Sequence, residues 1–377
     1  MTNAPAPGGV AHPGYLDTAS AEPLHPAARE ALTAALERGF ADPRRLHQRA
    51  RDARLLLDNA RAVVAECLGC RPDEVGFTGS GTEAVHRGLL GLVAAHGRRS
   101  GIVHSAVEHS AVLHATQWRP SPAHVTVGVD RHGRVDTSTL ADAATGPDVA
   151  AVALQSANQE VGTLQPVDDL DLPDEVPLLV DAAASLGRVA PPQRWSALTG
   201  SARKWGGPAG VGILAVRRRT RWTNPFPGDD DLDGDFGNVP GALAAAAALQ
   251  AVTAERDEVA ARQWPLVDHI RAAAAAIPDT EVVGDPERRL PHLVTFSVLY
   301  VPGDELVAAL DRRGFCVASG SACTASTLEP SHVLAAMGAL THGNVRVSLA
   351  RDTTEDEVVR FCTALADSVA ELRRDTP

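Results

Sequence analysis

Two periodicities alternate along the first two thirds of the chain. Apolar residues spaced three and four apart predict amphipathic helices over 26–38 and 46–67. A short apolar run at 75–78 predicts a strand that enters a Gly-Ser-Gly-Thr-Glu turn and a helix over 84–95. Further strand-length runs lie at 101–104, 124–129, 149–154, 177–180 and 211–216, each bounded by Gly, Pro or Asp. Such runs, with helical segments between several of them, suit a mostly parallel sheet buried between helices. Beyond about residue 239 the texture changes. An Ala-rich helical pattern over 241–261 leads to another at 266–276. Strand candidates follow near 282, at 294–298 and at 316–318, then a terminal helix over 354–373. The expected class is α/β: a large domain, residues 16–250, and a smaller α+β domain, residues 251–377 together with 1–15. The acidic, Gly-rich stretch 228–238 reads as a surface loop.

A length of 377 residues is enough for such a pair with a sizeable core. Asp and Glu number 47 against 35 Lys and Arg, a net charge of −12, which leaves no broad phosphate-neutralising face for nucleic acid. The longest apolar stretches are Ala-rich and too short to span a bilayer. The first twenty residues have neither the basic start nor the apolar core of a secretory signal, so a cytoplasmic protein is expected. The five cysteines (Cys67, Cys70, Cys316, Cys323, Cys362) are odd in number and widely spread, unlike a disulfide framework. Cys67 and Cys70 end a helical pattern with no second pair or nearby His to complete a zinc site. They read as buried or incidental thiols, and no metal is expected.

One count changes the picture. Lys204 is the only lysine; the other 34 basic residues are arginine. Compositional drift leaves such a survivor, but so does a task that Arg cannot perform. A lysine amine deprotonates and then serves as a nucleophile or forms a Schiff base, whereas arginine stays charged.

Four segments carry candidate chemistry. FTGSGTEA (77–84) runs a strand into a Gly-rich turn and a helix start, either a plain capping box or an anion site. LLVDAAASLG (178–187) ends an apolar strand on Asp181, at the carboxyl edge where ligands of open α/β sheets gather. A buried Asp there needs a partner: an Arg, a helix cap or a protonated ring nitrogen. LTGSARKWGGPAGVGIL (198–214) places Lys204 between a polar turn and a Gly-rich return to a strand, which also describes a hairpin with a basic tip. ASGSACTASTLEPSHVLAAMG (318–338) sets Cys323 among small polar residues, placed like a thiol meant to be reached.

Together with VEHSAV (107–112), NQEVGTLQPV (158–167) and VRVSLARDTTEDEV (345–358), these segments occur in the order and at the distances of the cysteine desulfurases. The chain resembles that family, pyridoxal-phosphate enzymes of the class V aminotransferase group, from about Tyr15 to the last helix. The Cys323 segment resembles the long-loop subgroup. The resemblance implies a fold-type I homodimer that takes sulfur from L-cysteine, releases L-alanine and leaves a persulfide on Cys323 for an acceptor protein. It implies that Lys204 holds pyridoxal phosphate and moves a proton, that Asp181 pairs with the ring nitrogen, and that His109 stacks on the ring and shares in proton transfer. Gly81, Thr82 and Ser201 would hold the phosphate, with Arg203 beside them. Asn158 or Gln159 would meet the ring oxygen, Asn158 also lying at the substrate, and Arg346 would bind the substrate carboxylate.

Several positions depart from the family. Ala184 stands where it has Gln, Arg203 where it has His before the lysine, and Asp42-Pro43 where it has Asn-Pro. GDFGNVPG (234–241) replaces an Arg-Ser-Gly-Thr stretch by which a second subunit reaches the phosphate. The alternatives are a C–S lyase or aminotransferase acting on another amino acid, with Cys323 a bystander, and a catalytically degraded scaffold.

Overall fold

The computed structural model describes residues 12–228, 231–234, 237–319 and 330–375. Helix α1 (Pro26–Leu36) begins on His25, whose ring Nδ1 accepts the N–H of Ala27, with Pro26 pre-set for the first turn. Helix α2 (Gln48–Leu68) begins in the same way on His47 and stops at Gly69, whose φ of 64° is the left-handed conformation. Strand β1 (Val75–Thr78) leads into α3 (Gly81–Ala94), then β2 (Gly101–Ser105), α4 (Ser110–Trp118), β3 (Val125–Val127) and α5 (Thr137–Ala144). Next come β4 (Val149–Gln155), β5 (Leu178–Asp181), β6 (Ala197–Ser201), β7 (Gly212–Val216) and α6 (Val239–Ala275). The remainder is β8 (Thr280–Val283), β9 (Leu293–Val298), α7 (Gly303–Arg312), α8 (His332–Met337), β10 (Asn344–Ser348) and α9 (Glu355–Asp375).

Among the described residues seven strands form one sheet, in the order β1-β7-β6-β5-β4-β2-β3. All neighbours are parallel except β7, which runs antiparallel to both β1 and β6. Residues of α1, α2, α5 and α6 pack on one face of this sheet, and those of α3 and α4 on the other. The inner strands are therefore apolar along their whole length; every residue of β4 is buried. A second, antiparallel sheet, β10-β9-β8, has its own core with α7, α9 and the later part of α6.

Three expectations change. Strand β6 has no isolated apolar signature, because it ends in the polar Thr199-Gly200-Ser201 that its neighbours bury. The two Ala-rich helical patterns are one 37-residue helix that continues through Pro265, about 55 Å long at 1.5 Å per residue. The candidate strand at 316–318 contributes isolated bridges, Cys316 to Tyr15 and Ala318 to Arg346. In the acidic stretch Gly228, Asp231, Gly237 and Asn238 are exposed, as expected of a surface loop, with one exception. Asp233 is buried, accepts the N–H of Phe77 on edge strand β1 and pairs with Arg61 of α2.

Candidate active site

The carboxyl ends of β4, β5 and β6 lie side by side, with Gln155, Asp181 and Thr199 in register. Asp181 is 7% exposed. Its Oδ1 accepts the N–H of Ala183 at 3.0 Å and faces the Thr199 hydroxyl at 3.5 Å; Oδ2 makes no hydrogen bond among the described residues. Lys204 follows β6 in a single turn, Ala202–Lys204, from which β7 returns antiparallel. That arrangement is a hairpin, but Lys204 itself is half-buried rather than solvated. Arg203 beside it is exposed and offers its carbonyl to the N–H of Glu22 at 2.7 Å.

His109 stands opposite. It is the N-cap of α4, and its ring Nδ1 accepts the N–H of Ala111 at 3.1 Å. A nitrogen that accepts cannot carry the proton, so the neutral ring holds its hydrogen on Nε2. Burial lowers the imidazole pKa to about 4; nearby Lys204 and Arg203 push the same way, while Asp181 opposes them. His109, Asp181 and Lys204 thus lie within electrostatic reach of one another.

The start of α3 completes the group. Ser80 caps the helix by accepting the N–H of Glu83 at 3.1 Å. The N–H groups of Gly81 and Thr82, and the hydroxyls of Thr82 and Ser201, make no hydrogen bond among the described residues. Gly81 lies so close to β6 that a Cβ on it would sit 2.7 Å from Cβ of Ser201. Open amides at a helix N-terminus beside two hydroxyls suit a phosphate. The capping reading of FTGSGTEA holds at Ser80, and the anion-site reading calls on different atoms. The residues fit pyridoxal phosphate: open amides and hydroxyls for an anion, a buried carboxylate with a free oxygen, and an amine within electrostatic reach of His109.

Asn158 and Gln159 separate. The Asn158 amide is engaged at both ends: Nδ2 donates to the Val107 carbonyl, and Oδ1 accepts the N–H groups of Glu160 and Val161. It shapes a turn that Gly162 closes at a φ of 78°. The Gln159 side chain makes no hydrogen bond among the described residues, and its carbonyl accepts from Nη1 of Arg346 at 3.0 Å. Arg346 is buried and donates through Nη2 to Asp17 (2.9 Å) and Ser20 (2.6 Å), while its Nε has no partner among the described residues.

Cys323 lies outside the described residues, but both flanks of its segment are placed. Ala318 exchanges backbone hydrogen bonds with Arg346 itself. On the other side, Ser331 Oγ donates to Glu160 at 2.6 Å and the His332 ring contacts the Glu108 carbonyl at 2.9 Å. The remaining thiols are poor nucleophiles. Desolvation raises Cys67 and pushes Cys70 and Cys362 up to about 11; burial and Asp311 raise the exposed Cys316. Ala184 packs on an apolar patch with Ala19, Ala157, Leu290 and Leu293. Asp42 closes an exposed turn with Arg44 and Arg45. Sequence reasoning missed Asp17, Ser20 and Glu108; the available signal for Glu108 was a carboxylate directly after the apolar run GIVHSAV.

The chain matches the family described as Aminotransferase class-V over residues 14–230 and 235–361. It is 35% identical over 384 residues to the IscS-like cysteine desulfurase of Mycobacterium tuberculosis, covering 96% of this chain and 97% of that protein. It is 33% identical over 383 residues to the cysteine desulfurase NifS of Azotobacter vinelandii, covering 96% and 94%. A solved structure described as a NifS-like protein superposes with a TM-score of 0.87 at 26% identity, covering 96% of this chain and all of that one. The chain belongs to the class-V aminotransferase family and is similar along nearly its whole length to that family's cysteine desulfurases.

Proposed function

We propose that this protein is a pyridoxal-phosphate-dependent cysteine desulfurase. The observation that carries the reading is that the chain's only lysine and Asp181 both act on a neutral His109, on a hairpin whose Ser201 lies against the start of α3. Lys204 would hold the cofactor covalently, Asp181 Oδ2 would pair with its ring nitrogen, and Gly81, Thr82 and Ser201 would hold its phosphate. When bound, pyridoxal phosphate supplies the electron sink for bond breaking at the substrate Cα and Cβ. The exposed Arg203 would add charge near the phosphate.

The chain's own groups do the rest. Arg346 would receive the substrate carboxylate, and Gln159, with its unengaged amide, would reach the cofactor or substrate while Asn158 holds the turn. His109 would donate from Nε2, because accepting there needs a proton shift to the nitrogen that caps α4. The Lys204 amine would move the Cα proton. The Cys323 thiolate would attack the substrate sulfur; the Cβ–S bond breaks as the S–S bond forms, and a proton on Cβ completes L-alanine. The flanks of the Cys323 segment, tied to Arg346, Glu160 and Glu108, support delivery of the thiol to this place. The same reading includes a homodimer, a cytoplasmic setting, an acceptor protein for the persulfide sulfur, and division at about residue 250 into large and small domains. Among the described residues no helix is long and apolar enough to cross a membrane.

Incubation with L-cysteine should yield alanine and a trapped persulfide on Cys323. Cys323→Ala should lose the persulfide, and Lys204→Ala should lose the absorption band of the bound cofactor. Release of sulfide with pyruvate and ammonia by Cys323→Ala, at the rate of the wild type, would favour a lyase. Absence of a cofactor band in the wild type would favour the scaffold.

A further inference from the structure

Glu108 takes no part in the chemistry above, yet it is fully buried (0% exposed) directly before His109. Its Oε1 accepts two hydrogen bonds, from Ser105 Oγ at 2.6 Å and the N–H of Gln155 at 3.1 Å. Its Oε2 has no partner among the described residues. The same is true of the side-chain oxygen of Gln155, whose amide is oriented by Nε2 donating to the Val107 carbonyl at 2.6 Å. Two buried acceptors, on residues already joined by a hydrogen bond, therefore lack a donor. A carboxylate left so is costly to bury. A proton on Oε2 removes the charge and supplies a donor.

The surroundings favour that proton. Asp181 on β5 is the charged neighbour, and its carboxylate repels a second one. His104 on β2 is turned to the Ser105 carbonyl, and His332 on α8 contacts the Glu108 carbonyl rather than its side chain. Arg87, Arg188 and Arg346 pair elsewhere, with Glu83, Glu22 and Asp17. Burial foremost, with Asp181 adding to it, pushes the group up to about 8, although Ser105 and the Gln155 N–H pull the other way. The Val107 carbonyl, held by both Gln155 and Asn158, fixes the other side of the same turn.

We propose that Glu108 is a positioning residue, kept as a neutral carboxylic acid whose Oε2 proton serves the Gln155 amide oxygen. It holds the 107–109 turn, and with it His109, while leaving the negative charge to Asp181. The positioning half rests on the desulfurase reading; the protonation half does not.

The tests separate the two. In cofactor-free protein, the infrared spectrum at pH 7 should contain a protonated-carboxyl C=O stretch that Glu108→Gln removes; no such difference overturns the proposal. Because the folded-state pKa is raised, the stability Glu108 contributes is full below pH 4.5 and is lost as pH rises towards 8. Glu108→Gln should therefore gain on the wild type as pH rises through that window, and a flat or opposite difference also overturns it. In the holoenzyme, Glu108→Leu should lower kcat by about 10-fold or more with little change in KM. Glu108→Gln should restore most of that loss. A Gln variant as impaired as the Leu variant would mean that the turn needs the charge, and the positioning claim fails.

Discussion

Under the proposed function His109 would do two jobs with one ring, and the geometry allows them to be separated. Nδ1 caps α4, leaving Nε2–H for the site. His109→Asn should keep the cap, since Asn is among the best N-cap residues, yet lower kcat by about 100-fold or more through loss of the imidazole. His109→Ala should lose as much activity and about 1 kcal/mol of stability as well, read from thermal unfolding. The folded-state pKa is lowered from 6.5 to about 4, so the unfolded chain takes up a proton that the folded chain refuses. This contribution to stability is present above pH 6.5 and is lost as pH falls towards 4; His109→Asn should flatten that part of the profile. Arg346 gives a different signature. Its guanidinium is already anchored by Gln159, Asp17 and Ser20, so a lysine there cannot match the fork. Arg346→Lys should raise KM for L-cysteine about 10-fold or more with a smaller effect on kcat. At this scale the sequence was informative where chemistry and composition coincide. Lys204 stands out because nothing else in the chain is lysine, and Asp181 because it ends an apolar strand. Asn158 and Glu108 were not readable in the same way, because their roles follow from which backbone atoms fold next to them.

At the scale of elements, α3 and the β6–β7 hairpin must approach each other closely for the anion cradle to exist. Gly81→Ala would place Cβ against Cβ of Ser201, two stiffly held atoms, so the helix start must move away from β6. The expected result is a cofactor affinity weakened by about 10-fold or more with a Tm loss of only a few degrees, checked by absorbance titration and thermal unfolding. The strand preceding α3 was legible from its apolar run and turn residues. Strand β6 was not, because Thr199, Gly200 and Ser201 form a strand only when β5 and β7 pair with them on either side. The continuity of α6 through Pro265 was likewise hidden. Proline disfavours a helix interior by several kcal/mol, and here burial along the helix, from Val259 and Gln263 to Val267 and Ile270, outweighs it.

Across the whole molecule, residues 15–25 strap the two sheets together. The N–H groups of Glu22 and His25 bond the Arg203 and Gly206 carbonyls of the lysine hairpin. Thr18 and Ala19 bond Leu349 and Ser348 at the end of β10. Glu22 also pairs with the buried Arg188 at 2.6 Å and with Arg351, which reaches Glu255 on α6. Glu22→Ala would strand the Arg188 charge and should cost about 3–5 kcal/mol, measured by denaturant unfolding, whereas the double variant Glu22→Leu/Arg188→Met should recover most of it. None of this network was visible in the linear chain, where Glu22 and Arg188 are 166 residues apart. The sequence by itself determined most of the alternation of helices and strands, the family and the singularity of Lys204, because periodicity, turn chemistry and composition are local properties. Only the tertiary structure decided which polar groups are buried, which nitrogen of His109 is free, and which carboxyl oxygen goes without a donor. Desolvation and hydrogen-bond partners come from residues distant in the chain, and no local pattern records them.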